Sequence, residues 1–93
     1  MSFDRDSATE AAMRDLARRL GVSEGDVSVS GVADRDFPDM SLGAPVGDEA
    51  SAMMIATGWE IGLKANGKSY EYRADKYQLR AKGFEGKNYL VKG

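Results

Sequence analysis

The sequence predicts an α+β fold: one N-terminal helix packed on an antiparallel sheet of four to five strands, as a two-layer sandwich. Three observations lead there. A capping box followed by apolar residues at helical spacing opens the chain. Two alternating segments meet at Asn66-Gly67. Two further short segments, the first of them alternating, follow them.

The helix is expected over 7–20. Ser7-Ala8-Thr9-Glu10 matches the reciprocal capping pattern, in which the Ser hydroxyl accepts from the Glu amide and the Glu carboxylate reaches back. Ala12, Met13, Leu16, Ala17 and Leu20 then recur at helical spacing. Arg14, Asp15, Arg18 and Arg19 mostly take the other side, with Asp15 spaced to pair with Arg18 and Arg19. Gly21 is the expected left-handed stop.

A strand is expected over 26–37. Val27 and Val29 alternate, but the next valine is Val32, so the alternation slips by one residue. A β-bulge at Ser30-Gly31 returns Val32 to the core face. The stretch 38–58 holds both prolines and three glycines and has no sustained period, so it reads as a long loop. Within it Met53-Met54-Ile55 suggests a short edge strand, or methionines filling gaps in the core.

Asn-Gly between alternating strands specifies a two-residue hairpin turn, because both positions tolerate positive φ. The hairpin is expected over 59–74. Its register places Trp59 opposite Ala74, Glu60 opposite Arg73, Ile61 opposite Tyr72, Leu63 opposite Tyr70 and Ala65 opposite Lys68. Trp59, Ile61, Leu63, Tyr70 and Tyr72 then share the core face, and a one-residue slip would expose them. The other face, with Glu60, Lys64, Glu71 and Arg73, reads as solvated. Strands over 77–82 and 88–92 complete the sheet, with a turn at Gly83 and Gly86.

The chain has 93 residues, read as one domain, 1–93, with 13 basic and 15 acidic side chains. It has no cysteine and no histidine. Disulfides, thiolate metal sites, cysteine nucleophiles and histidine-based acid–base chemistry are therefore excluded within this chain. The N-terminus lacks the apolar core of a signal peptide, and no apolar run reaches membrane-spanning length. The expected location is cytoplasmic, with no membrane association.

Four groups of residues are candidates for function. Asp34, Asp36 and Asp39, with Asp48 and Glu49 further on, present oxygen ligands of the kind hard divalent cations take, though not at EF-hand spacing. Tyr77, Phe84 and Tyr89 interleave with Lys76, Arg80, Lys82 and Lys87, as in stacking surfaces for single-stranded nucleic acid. The net acidity of the whole chain opposes that reading. Glu60 and Glu71 are paired carboxylates, but Arg73 and Lys64 beside them make ordinary ion pairs. The fourth group is the loop, where Phe37, Asp39, Met40, Ser41 and Leu42 combine apolar side chains with turn formers. They serve either to pin the loop to the sheet or to meet a partner.

Phe37-Pro38-Asp39-Met40-Ser41-Leu42-Gly43-Ala44-Pro45 resembles the Trp-Pro-Asp-x-Ser-Leu-Gly-Cys-Pro motif of a family of small, functionally uncharacterised prokaryotic domains. Gly21-Val22-Ser23 before it and the 59–72 hairpin after it extend the resemblance over residues 11–75. Phe37 stands where Trp is usual and Ala44 where Cys is usual. The helix-then-meander order is also similar to PepSY-type domains, which are associated with binding or inhibiting peptidases. The family resemblance implies a fold and no activity.

The function expected from these observations is a non-catalytic interaction module that meets a protein partner through 37–58, needs no cofactor and is not an enzyme. The alternatives are divalent-metal or small-ligand binding through the acidic group around 34–49, and nucleic-acid binding by the basic C-terminal stretch.

Overall fold

The Asn66-Gly67 turn forms with both residues at positive φ, 53° and 75°. In the computed structural model, which describes residues 2–93, it joins β2 (Ala56–Ala65) to β3 (Lys68–Ala74). The register is the expected one: Trp59 faces Ala74, Glu60 faces Arg73, Ile61 faces Tyr72 and Leu63 faces Tyr70. β1 (Ser28–Phe37) pairs on the outer side of β2, and β4 (Leu79–Phe84) and β5 (Lys87–Lys92) follow β3. The result is a five-stranded antiparallel meander in the order β1-β2-β3-β4-β5. Helix α1 (Arg5–Leu20) covers its front face.

Helix α1 begins earlier than expected. Asp4, not Ser7, is the N-cap: its carboxylate accepts from the Ser7 amide at 2.8 Å, and the Asp4 amide donates to the Ser7 hydroxyl at 2.9 Å. Asp4-x-x-Ser7 is the same reciprocal box one turn upstream of the predicted one, and it outcompetes it because it adds a turn of helix. Gly21 ends the helix at φ 69° with its amide on the Arg18 carbonyl. Val22 folds back onto the Ala17 carbonyl, completing a Schellman-type stop.

The predicted bulge is present. Val29 pairs with Leu63 and Gly31 with Gly62, leaving Ser30 as the extra residue. Val29 and Val32 therefore share the front face with Leu63 and Ile61. Asp26 and Val27 lie outside the strand, since Glu24–Asp26 forms a 3-10 turn that delivers Val27 into the core.

The front core consists of Ala8, Ala12, Leu16, Ala17, Val27, Ile61, Leu63, Ala65, Tyr72, Ala74, Leu79, Ala81 and Phe84, with Met13, Leu20, Val32, Trp59 and Tyr70 among the partly buried side chains around it. Two expectations change. Val29 has the right facing but remains 44% exposed, because α1 meets β1 around Val32 and Asp34, through Arg5, and leaves Val29 uncovered. Trp59 is only half-buried, packed against the margin of this cluster.

The larger correction concerns the reverse face, which is solvated only toward the Asn66-Gly67 turn, where Lys64 and Ser69 are exposed. A second apolar cluster of Phe37, Leu42 and Ala56, with Met40 against it, sits there, and Arg73 and Arg80 are buried beside it. The chain from 38 to 52 folds across this face as a strap. Met53-Met54-Ile55 forms neither an edge strand nor a core filling; the three side chains are 83%, 64% and 72% exposed.

Candidate functional site

The strap is built from local turns. The Asp39 carboxylate accepts from the Ser41 amide at 2.9 Å and from the Ser41 hydroxyl, an Asx-type turn of the kind the residue types favour. These two bonds hold the Asp39 carboxyl below its usual range. Leu42 follows at φ 59°, an uncommon conformation for a branched residue, and Gly43 at φ 67°. A side chain at Gly43 would also strike the Arg73 guanidinium, so glycine is required twice over.

Side chains from the sheet hold the strap by its carbonyl groups. Gln78 Nε2 donates to Met40 at 2.7 Å, Arg73 Nη1 to Leu42 at 2.8 Å, Arg80 Nη1 to Ala44 at 3.1 Å and Asn88 Nδ2 to Pro45 at 2.9 Å. Arg80 also grips the Glu49 carboxylate bidentately, at 2.6 and 2.8 Å. That pair, followed by the Val46 amide, pulls the Glu49 carboxyl down to about 2. Arg73 is neutralised by Glu71 at 2.7 Å and lies 5.4 Å from the Phe37 ring centroid. Arg35 lies over the same ring and pairs with Glu60.

At the end of the strap the chain returns to the sheet. The Met40 amide donates to the Ala52 carbonyl at 3.0 Å, and Ala56 pairs with Phe37. Residues 53–55 are thereby anchored at both ends and stand out opposite Pro38-Asp39. Pro38 has no N–H to offer a facing strand, so the ladder is interrupted there.

These positions decide what each candidate residue can do. Phe37, Ser41 and Leu42 are buried and hold the strap to the sheet, so they offer no surface to a partner; Asp39 and Met40 are partly exposed. The large apolar side chains that the loop exposes are Met53, Met54 and Ile55. Of the acidic group, Asp34 pairs with Arg5 at 3.7 Å, Asp36 accepts from Thr57 at 2.9 Å, and Asp39 is engaged by Ser41. No three His, Cys, Asp or Glu side chains are grouped to hold a metal ion among the described residues. Glu60 and Glu71 are spent on Arg35 and Arg73.

The basic C-terminal stretch is divided between the two faces. Arg80 turns inward to Glu49, Phe84 is buried in the front core, and Tyr89 lies under Arg19 of α1, 4.3 Å from guanidinium to ring centroid. Tyr77 alone of the three aromatics is well exposed. Arg73, Gln78, Arg80 and Asn88, the residues that position the strap, escape a reading of the sequence because they look like ordinary polar positions on a solvated strand face. The signal that could have found them is the length of the 38–58 loop, which a compact domain must tie down.

No helix among the described residues is long and apolar enough to cross a membrane. A family model described as Domain of unknown function (DUF8738) matches residues 9–81, from within α1 into β4. No curated protein and no solved structure matches the chain.

Proposed function

The chain belongs to the DUF8738 family, and we propose that it works as a non-catalytic interaction module that meets a protein partner through Met53-Met54-Ile55. One observation carries this reading: three consecutive large apolar side chains are exposed on a segment anchored at both ends. Single exposed apolar residues are ordinary, whereas a contiguous set marks a contact surface. Methionine suits such a surface because its flexible, polarisable side chain adapts to a facing pocket. Asp36, which pairs with Thr57, and Asp39, next to the Met40–Ala52 bond, flank the segment, so the partner chemistry that fits is an apolar pocket with a cationic rim. Anchoring supports the reading further, since an already ordered segment loses less entropy on docking.

The test compares wild type with a Met53→Ser, Met54→Ser, Ile55→Ser triple variant and a Val29→Ser control. All three serve as bait, and any protein retained is purified and titrated directly. A partner bound by wild type and control but not by the triple variant supports the proposal. Equal affinity for all three overturns it. A peptidase is the first candidate to titrate, on the resemblance of the sequence to PepSY-type domains.

A further inference from the structure

A continuous chain of hydrogen bonds runs from the middle of the strap to the foot of the exposed segment. Arg80 holds the Glu49 carboxylate with Nη1 and Nη2 and donates Nε to Gln78 Oε1 at 2.7 Å. Gln78 Nε2 donates to the Met40 carbonyl at 2.7 Å. The Met40 amide donates to the Ala52 carbonyl at 3.0 Å, and Met53 is the next residue. Arg80 is buried, so its guanidinium cannot take water in place of these partners without movement of the strap. Among the described residues Gln78 alone links the guanidinium to Met40 by hydrogen bonds, and it uses both ends of its amide to do so.

We propose that Gln78 is a positioning residue for the Met53-Met54-Ile55 surface, acting through Met40 and Ala52, with Arg80 and Glu49 setting the orientation of its amide. The proposal rests on the reading of 53–55 as a contact surface and assigns what holds that surface in its protruding form. Ala56 anchors the C-terminal end through β2 whatever happens to Gln78. Among the described residues the N-terminal end has one backbone bond, Met40 to Ala52, and Gln78 is the side chain that holds the Met40 carbonyl, beside the packing of Met40 on the Phe37 cluster. Losing that bond converts a segment held at two points into one held at one, which raises the entropic cost of docking without removing any contacting atom.

Gln78→Glu separates this role from simple packing. A glutamate keeps an acceptor for Arg80 Nε but has no N–H for the Met40 carbonyl. Amide exchange and methionine methyl spectra of the protein alone are the readouts. In Gln78→Glu the Met40 amide is expected to exchange about tenfold faster, the resonances of Met53 and Met54 to shift and sharpen, and the β2 and β3 amides to stay as in wild type. Glu49→Gln should move the same resonances in the same direction. Unchanged Met40 exchange, or faster exchange with the Met53 and Met54 methyls as in wild type, overturns the proposal. With a partner in hand, Gln78→Glu should weaken binding about tenfold; an unchanged affinity also overturns it. If instead the Met53, Met54, Ile55 triple variant binds like wild type, the contact reading fails while the role of Gln78 in holding the segment stands on the exchange data.

Discussion

The Tyr72 hydroxyl donates to Asp15 Oδ2 at 2.7 Å, joining the middle of β3 to the middle of α1 inside the front core. Asp15 also accepts from Arg18 at 2.7 Å and Arg19 at 2.6 Å. What reads from sequence as surface i,i+3 and i,i+4 pairing is thus a buried carboxylate with three donors. Burial pushes the Asp15 carboxyl up, but the bonds from Tyr72, Arg19 and Arg18 together outweigh it and leave it below the ordinary value. Burial, and then the Asp15 bond, push the Tyr72 hydroxyl up.

Tyr72→Phe removes one bond to a charged acceptor and should cost about 2 kcal/mol in urea unfolding. Asp15→Ala leaves the Tyr72 hydroxyl and the partly buried Arg19 without their acceptor and should cost more, about 3–5 kcal/mol. The double variant should show clear coupling between the two positions, and simple additivity would mean the bond is not what links them.

Stability should fall in acid through Asp15 and Glu49. Both folded-state values lie below the ordinary ones, 3.8 for Asp15 and 4.5 for Glu49, the latter brought down to about 2. Groups lowered by folding contribute stability above their unfolded value and lose it as pH drops through the folded one. The Glu49 contribution is therefore complete above about pH 4.5 and gone below about pH 2. Glu49→Gln should flatten this part of the pH–stability curve, and a curve that keeps its wild-type slope would show that the ion pair with Arg80 carries no weight.

Gly58 tests the closeness of β2 to the β3–β4 corner. A Cβ there would overlap the Ala74 carbonyl oxygen, and backbone cannot move aside cheaply. Gly58→Ala should cost about 3 kcal/mol by thermal or urea unfolding. Gly67→Ala meets open space but keeps a φ of 75°, so about 1 kcal/mol is expected. A reversed order of the two variants would contradict the packing described for Gly58.

Aromatic truncations should separate the enclosed from the half-covered positions on the core face of the hairpin. Tyr72→Ala, at a fully buried site, is expected to cost about 3–5 kcal/mol. Trp59→Ala, at a half-buried one, should cost about 1–2 kcal/mol despite the larger side chain. Equal losses would mean that Trp59 is more enclosed than a half-buried side chain should be.

Titration with calcium or magnesium should leave the amide shifts of 34–49 unchanged at low-millimolar metal. Asp34, Asp36 and Asp39 each have a separate partner. Saturable shifts confined to that stretch would restore the metal-binding alternative.

Local rules carried much of the fold. Asn66-Gly67 and the alternation around it determined the register of β2 on β3, residue for residue, because turn geometry and side-chain period leave no second solution. The slip between Val29 and Val32 determined the bulge for the same reason. The helix and its glycine stop were legible from spacing and capping chemistry, with the start misplaced by one turn because two overlapping segments satisfy the same pattern.

Only the tertiary structure decided which positions on those elements are covered. Val29 faces the core side and stays exposed, while Asp15, Arg73 and Arg80 carry charge and are buried. Periodicity reports the direction of a side chain, and burial depends on what arrives from elsewhere in the chain. Here α1 meets β1 around Val32 and Asp34 and leaves Val29 uncovered, and a strap without periodicity covers much of the reverse face through carbonyl groups that every residue possesses. A backbone carbonyl leaves no signature in the sequence, so the clamp by Gln78, Arg73, Arg80 and Asn88, and the exposure of Met53-Met54-Ile55 beyond it, emerged only from the folded chain.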